Sequence, residues 1–283
     1  MKIGIPRAGY YFRFGKLWKK FFENLGYEVI VSPKTNREIY ELGMENAGSE
    51  FCQPIKVLTG HVLWLKEKVD YIFVPDFLGG EKTFCCGYFR GCSDLMRSLS
   101  ASEKILTMEL NMNKVSKEEF LKVAKILGKN GEKAFDKIDW KEEDRLEEVL
   151  NSKKKKIAIV GEPYVLNDDF CNNGVIKLLE ENGYEVVKSD IVPFSKIKKN
   201  TKDYIIHWTE EKESFGSLIE FFNEDRIDGV VYICPFNCGP DFLVGEIILD
   251  KYKGVKPILR LNVDETLSET RTAIRVEAFL DIL

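Results

Sequence analysis

Asn24-Leu25-Gly26-Tyr27-Glu28-Val29 returns, slightly shortened, as Asn182-Gly183-Tyr184-Glu185-Val186. Around each copy the same order of signals repeats. Lys2-Ile3-Gly4-Ile5-Pro6 reads as a short apolar strand, Phe14 to Leu25 as a helix stopped by Gly26, and Glu28-Val29-Ile30-Val31 as the next strand. In the second half Lys156-Ile157-Ala158-Ile159-Val160-Gly161 is the strand, Gly174 to Asn182 the helix stopped by Gly183, and Glu185-Val186-Val187 the next strand. Val69-Asp70-Tyr71-Ile72-Phe73-Val74-Pro75 and Ile227 to Pro235 add a further strand to each half. The pattern predicts an α/β protein of two Rossmann-like parallel-sheet domains, residues 1–111 and 153–283, each a βαβ array. Between them, residues 112–152 are rich in Lys, Glu and Leu at helical spacing and read as a helical connector.

Composition narrows the partners. The 283 residues are 44% hydrophobic, enough for a sizeable core in two domains of ordinary size. Forty-two Lys plus Arg stand against 46 Asp plus Glu, a net charge of −4, so neither nucleic acid nor an anionic membrane is favoured. Lys153-Lys154-Lys155-Lys156 reads as a solvated face rather than an anion site. The first residues lack a signal-peptide apolar stretch and no run reaches 18 apolar residues, so a cytoplasmic, non-membrane protein is expected. In that reducing setting an odd number of cysteines, seven, argues against a disulfide framework.

The cysteines stand where strands end and turns begin. Phe51-Cys52-Gln53-Pro54, Phe84-Cys85-Cys86-Gly87 and Cys234-Pro235-Phe236-Asn237-Cys238-Gly239-Pro240 surround thiols with Gly and Pro. Cys171 falls in the loop between the strand at 157–160 and the helix near Gly174, and Cys52 sits near the start of a helix over Ile55 to Leu65. Parallel sheets bind ligands beyond the carboxyl ends of their strands, so both domains are expected to send thiols toward one interdomain cleft. For single members the competing reading is a buried small hydrophobe, strongest for Cys92 and weakest for Cys238.

Zinc is the lesser option, because Cys234-x3-Cys238 is a knuckle without a second one, and His61 and His207 have no paired spacing. A Cys-x-x-Cys redox pair is absent. Soft thiolates spread over two domains suit an iron–sulfur cluster. There is no Gly-x-Gly-x-x-Gly fingerprint for a dinucleotide and no Gly-x4-Gly-Lys-Ser/Thr phosphate loop.

Glu50-Phe51-Cys52-Gln53-Pro54-Ile55-Lys56 with Gly60-His61-Val62, Val69 to Pro75, Cys234 to Asp241 and Arg271 to Phe279 resembles the short proteins related to 2-hydroxyacyl-CoA dehydratase subunits and to the domain fused to their activases. That resemblance runs the length of the chain. It implies a cluster held by Cys52, Cys86 and Cys238, low-potential electron transfer or reduction of a small-molecule substrate, electron supply from a separate ATP-dependent activase or other low-potential reductase, and a homodimer. The extra thiols Cys85, Cys92, Cys171 and Cys234 depart from the usual pattern. They raise the double-cubane branch, an [8Fe-9S] cluster needing six thiolates, beside a single [4Fe-4S] cubane. The alternatives are a non-catalytic electron carrier or cluster-holding partner, and a structural metal-binding protein.

Other polar residues have smaller roles at this level. His61 is the candidate catalytic residue, to transfer a proton or orient a bound ligand, with an ordinary surface or capping role as the equal alternative. Lys56 and Glu50 read as surface or capping residues, and Arg7 suits either an anionic substrate group or a salt bridge. Asp241 reads as the cap of a helix over Phe242 to Leu249. Asp264-Glu265-Thr266 and Thr270-Arg271-Thr272 either line the site or supply the polar start of a terminal helix over Thr272 to Leu283.

Overall fold

Ile3 and Ile157 occupy the same place in two separate sheets. Ile3 pairs in parallel with Val29 on one side and Tyr71 on the other, and Ile157 does the same with Val186 and Gly229. A strand bonded on both edges and covered on both faces must be apolar throughout, which is why Lys2–Ile5 and Lys156–Val160 are uninterrupted apolar runs after their first residue. The computed structural model describes residues 1–139, 145–264 and 269–283. It divides into two compact units, Met1–Lys141 and Glu142–Leu283.

In the first unit β1 (Lys2–Ile5), α1 (Tyr11–Asn24), β2 (Glu28–Val31), α2 (Arg37–Asn46), α3 (Gln53–Lys66) and β3 (Tyr71–Phe73) follow one another. After them come β4 (Asp76–Gly79), α4 (Gly87–Arg90), α5 (Cys92–Ser100), β5 (Ile105–Leu106), β6 (Glu109–Asn111), α6 (Lys117–Ile126) and α7 (Glu132–Asp136). The parallel sheet has the order β2-β1-β3-β5, and β4 and β6 form a small parallel pair. Its core is aromatic. Trp18 meets Phe73 edge-on, Phe22 meets Phe73, and Phe77 packs against Tyr10 and Phe14. Each such ring contributes on the order of 1.5–3 kcal/mol by leaving water. Pro75 ends the strand expected over Val69 to Pro75, and only Tyr71–Phe73 is regular.

The second unit contains α8 (Leu146–Leu150), β7 (Lys156–Val160), α9 (Pro163–Leu166), α10 (Val175–Glu181) and β8 (Glu185–Lys188). It continues with α11 (Phe194–Asn200), α12 (Thr209–Phe222), β9 (Gly229–Pro235), α13 (Gly239–Lys251), β10 (Ile258–Val263) and α14 (Glu269–Leu280). Its parallel sheet runs β8-β7-β9-β10, the order of the first unit again. Its core mixes aliphatic residues such as Val160, Leu218 and Val230 with Phe215, Phe221 and Tyr232. The repeated phrase has one physical purpose in both units. Gly26 and Gly183 stand just past α1 and α10 with φ of 87° and 88°, a left-handed turn that releases the chain into the next strand.

The helices of residues 112–152 pack onto these cores. Phe120 of α6 meets Phe21, Asn24 Nδ2 donates to Ala134 O of α7, and Leu146 and Leu150 of α8 join the second core. In the lysine run, Lys153, Lys154 and Lys155 are exposed as expected, but Lys156 is buried. Its Nζ donates back to Ser152 O and to Lys154 O, because a residue on the first rung of a central strand has no route to solvent except along its own chain. Among the described residues no helix is long and apolar enough to cross a membrane.

Candidate functional site

In both sheets the chain leaves the first strand toward one edge and the third toward the other, so the loops after these two strands diverge. In the first unit the loops are Pro6 to Tyr10 after β1 and Val74-Pro75 after β3, the place where open parallel sheets hold ligands. An apolar cavity of about 20 Å³ lies there, lined by Pro6, Ala8, Tyr10, Phe77, Phe89 and Cys92 among others. That is room for about one water.

Cys92 lines this cavity, and the first unit holds three further thiols, Cys52, Cys85 and Cys86. Cys52 is the N-cap of α3 and Cys86 the N-cap of α4, with backbone ψ of 156° and 157°. The position of Cys52 follows from the sequence: Pro54 is at home in a helix's first turn, so the helix must begin just before it. Phe51, next to Cys52, packs edge-on against Tyr88, two residues past Cys86, with ring centroids 5.1 Å apart. Thr59 Oγ1 of α3 reaches Met96 Sδ of α5 at 3.8 Å. Cys92 opens α5 and is fully enclosed; burial pushes its thiol pKa up, and Asp76 and Cys86 add to the shift. Cys85 is also fully buried. Cys92 is thus within electrostatic reach of Cys86, the turn of Cys52 is joined to that of Cys86 through Phe51 and Tyr88, and Cys85 is next to Cys86 in the chain.

Cys52 sits in a mixed field. Burial raises its thiol, while the Ile55 amide and the Lys56 ammonium act to lower it. Lys56 is buried, not a surface residue, and its Nζ lies 3.4 Å from Ser49 O. Gln53 is buried as well, and neither end of its side-chain amide has a partner. Burying an amide unpaired costs on the order of 1–3 kcal/mol. Sequence reasoning missed Gln53 altogether; the signal was a polar residue opening an otherwise apolar helix.

His61, one face further along α3, is fully buried. Its Nδ1 lies 2.8 Å from Ser32 Oγ and its Nε2 3.0 Å from Thr35 Oγ1. Burial lowers its pKa to about 3, with the nearby Arg7 charge adding to the shift, so the ring is neutral at ordinary pH. Ser32 Oγ in turn accepts the Arg7 backbone N–H at 2.7 Å. The ring therefore ties the loop after β1 and the end of β2 to α3. Arg7 itself lies over the rings of Tyr11 and Phe12.

The second unit builds a different environment at the equivalent place. Cys238 is the N-cap of α13 and half-buried, while Cys234 is buried at the end of β9. Asp241 does not cap this helix. Pro240 draws the helix start back to Gly239, and the Asp241 carboxylate turns inward to accept the Tyr232 hydroxyl. Glu162, after β7, and Glu210 and Glu211, opening α12, are also buried. Glu162 Oε1, Glu211 Oε2 and Asp241 Oδ2 have no hydrogen-bond partner. Burial first, then mutual repulsion, drives the Glu162 pKa well above the carboxylate range and holds Glu211 at about 8. Burial also raises Asp241, to about 6. Burial and Asp241 together push up the thiols of Cys234 and Cys238. None of the three glutamates stands out in the sequence as a buried acid, although Glu162 before Pro163 at a strand end is a visible clue.

Cys171 lies in a turn after α9, where its amide bonds to Asp168 Oδ1 at 3.3 Å and burial raises its thiol. Asp264 and Thr272 fall at the end of β10 and within α14, whereas Glu265 and Thr266 lie outside the described residues. Among the described residues no three His, Cys, Asp or Glu side chains are arranged to hold one metal ion.

Residues 2–192 match the model of the CoA enzyme activase uncharacterised domain, well over half of the chain. The chain belongs to that family. No curated protein matches it. The activase-domain match takes in the whole first sheet and extends to the end of β8 and the turn after it. It therefore includes Cys52, Cys85, Cys86, Cys92, Cys171 and His61, and stops short of β9, Cys234 and Cys238. As an activase-related α/β domain, the chain agrees with the coarse part of the sequence resemblance.

Proposed function

We propose that this chain is an iron–sulfur protein of low-potential electron chemistry, with Cys52 and Cys86 of the first unit and Cys238 of the second among its ligands. The observation that supports this reading is that Cys52 and Cys86 each stand at the head of a helix, while Phe51, beside the first, packs on Tyr88, two residues past the second. The unpaired Gln53 amide and the buried Lys56 ammonium fit an anionic sulfur-rich group at the same spot. A bound cluster would store and release one electron at low potential. Around it the chain's own residues supply thiolates, exclude water through the aromatic core, and fix α3 through His61. The family description supports an ATP-dependent activase as electron donor, since the sequence has no phosphate loop of its own.

Within this reading, a carrier or cluster-holding partner is favoured over a reductase that uses His61 as its acid. The ring stays neutral and each nitrogen faces a hydroxyl, so it offers no imidazolium acid at neutral pH and its one N–H is already engaged. Anaerobic reconstitution with iron and sulfide tests the proposal. A visible sulfide-to-iron absorption band is expected, and a colourless protein that takes up no iron would end it. Turnover of small candidate substrates with a strong reductant would move the reading from carrier to enzyme.

A further inference from the structure

The start of α3 combines two features that ordinary core packing does not explain. Gln53, the first residue of this 14-residue helix, is 2% exposed with its amide nitrogen and oxygen both unpartnered. Lys56, three residues on and 1% exposed, puts an ammonium at the positive end of the helix dipole, the end where a cation is least welcome. Residues three and four apart share a helix face, so Cys52, Gln53 and Lys56 are neighbours at the first turn. The Lys56 Nζ reaches back toward the Ser49 carbonyl, in the loop that leads into Cys52, rather than outward to solvent. A free amide donor and a buried cation around one sulfur ligand answer to negative charge at that sulfur.

We propose that Gln53 and Lys56 are the hydrogen-bonding and charge partners of the sulfur at Cys52, with the Gln53 Nε2–H donating to that sulfur or to an adjoining sulfide and Lys56 offsetting the negative charge. This rests on the cluster reading above and assigns it a means of control: the two residues stabilise the reduced, more negative state and slow the loss of iron.

The test compares wild type, Gln53→Leu and Lys56→Met after anaerobic reconstitution. Iron and sulfide content, the midpoint potential by redox titration, and the rate of iron loss to a chelator are the readouts. Each variant is expected to titrate at a more negative potential than wild type and to lose iron about 10-fold faster, the scale typical of outer-shell partners. Without cluster, Gln53→Leu should melt no lower than wild type, because an orphaned amide has been replaced by an apolar side chain of similar size. Should Gln53→Leu fail to fold, Gln53→Met, unbranched like glutamine, takes its place. Wild-type potentials and iron-loss rates in both variants would overturn the assignment while leaving the cluster reading intact. Wild-type protein that takes up no iron would remove both at once.

Discussion

His61 Nδ1 and Ser32 Oγ are 2.8 Å apart in the buried interior of the first unit, and the Arg7 backbone N–H bonds to the same hydroxyl. The imidazole is thus a strut between the loop after β1, the end of β2 and α3. Because its folded pKa of about 3 lies below the ordinary value of 6.5, the unfolded chain binds the proton more readily. The contribution of neutral His61 is complete above pH 6.5 and is lost as pH falls toward 3. By pH 4 the loss is on the order of 3 kcal/mol. Urea unfolding at about pH 7.5 and about pH 4.5 should show this fall in wild type, and a clearly smaller one in His61→Gln. Equal acid sensitivity in both proteins would remove the strut role.

Gly43 of α2 and Gly60 of α3 let two helices touch backbone to backbone. A methyl at Gly60 would collide with the Ile39 carbonyl and a methyl at Gly43 with the Lys56 carbonyl, neither of which can rotate away. Gly60→Ala is therefore expected to cost about 2–4 kcal/mol and to push α3, with Cys52 at its head, away from α2. Gly87→Ala meets open space and should leave the melting temperature nearly unchanged. Thermal unfolding of the two variants measures the contrast; a Gly60→Ala protein as stable as wild type would mean the helices can part at little cost.

The architecture was legible because period and punctuation do not depend on distant contacts. Gly26 and Gly183 after helix-spaced runs, and the apolar strands Lys2–Ile5 and Lys156–Val160, were enough for two parallel-sheet units. The site was legible only where chain neighbours carry the signal, as with Cys52 before Pro54 and Cys238 before Pro240. Asp241 has the local pattern of a cap, yet its side chain answers to Tyr232, nine residues back on another element, rather than to its own helix. Lys156 and Lys56 have the local pattern of solvated or surface residues, since nothing nearby in sequence says that a lysine will be enclosed. The gathering of Glu162, Glu210, Glu211 and Asp241 comes from three separate elements, which no spacing rule joins.

That gathering gives the second unit the opposite pH response to the first. Glu211, facing Glu210 and Asp241, has a folded pKa of about 8 against an ordinary 4.5, so the fold holds its proton more tightly than the unfolded chain does. The favourable contribution is complete below pH 4.5 and is lost as pH rises through 8. That loss is on the order of a few kcal/mol. Glu211→Gln keeps the neutral form at every pH. Its stability, followed by urea unfolding from about pH 5 to about pH 9, is expected to exceed that of wild type increasingly toward the alkaline end. Parallel curves for the two proteins would show that Glu211 is already ionised in the fold.

Counting irons against cysteines decides the size of the proposed centre. Cys52→Ala, Cys86→Ala and Cys238→Ala should each abolish or greatly reduce the visible absorption after reconstitution, since a cubane held by three thiolates has none to spare. The Cys171 amide bonds to Asp168 in a turn of the second unit. Cys92, enclosed beside Cys86, is the extra thiol best placed to join it. About four irons per chain, kept in Cys171→Ser, is the outcome expected for a single [4Fe-4S] centre. About eight irons, falling sharply in Cys171→Ser and Cys234→Ser, would instead require the six thiolates of an [8Fe-9S] double cubane, and with it a movement of the Cys171 turn away from Asp168.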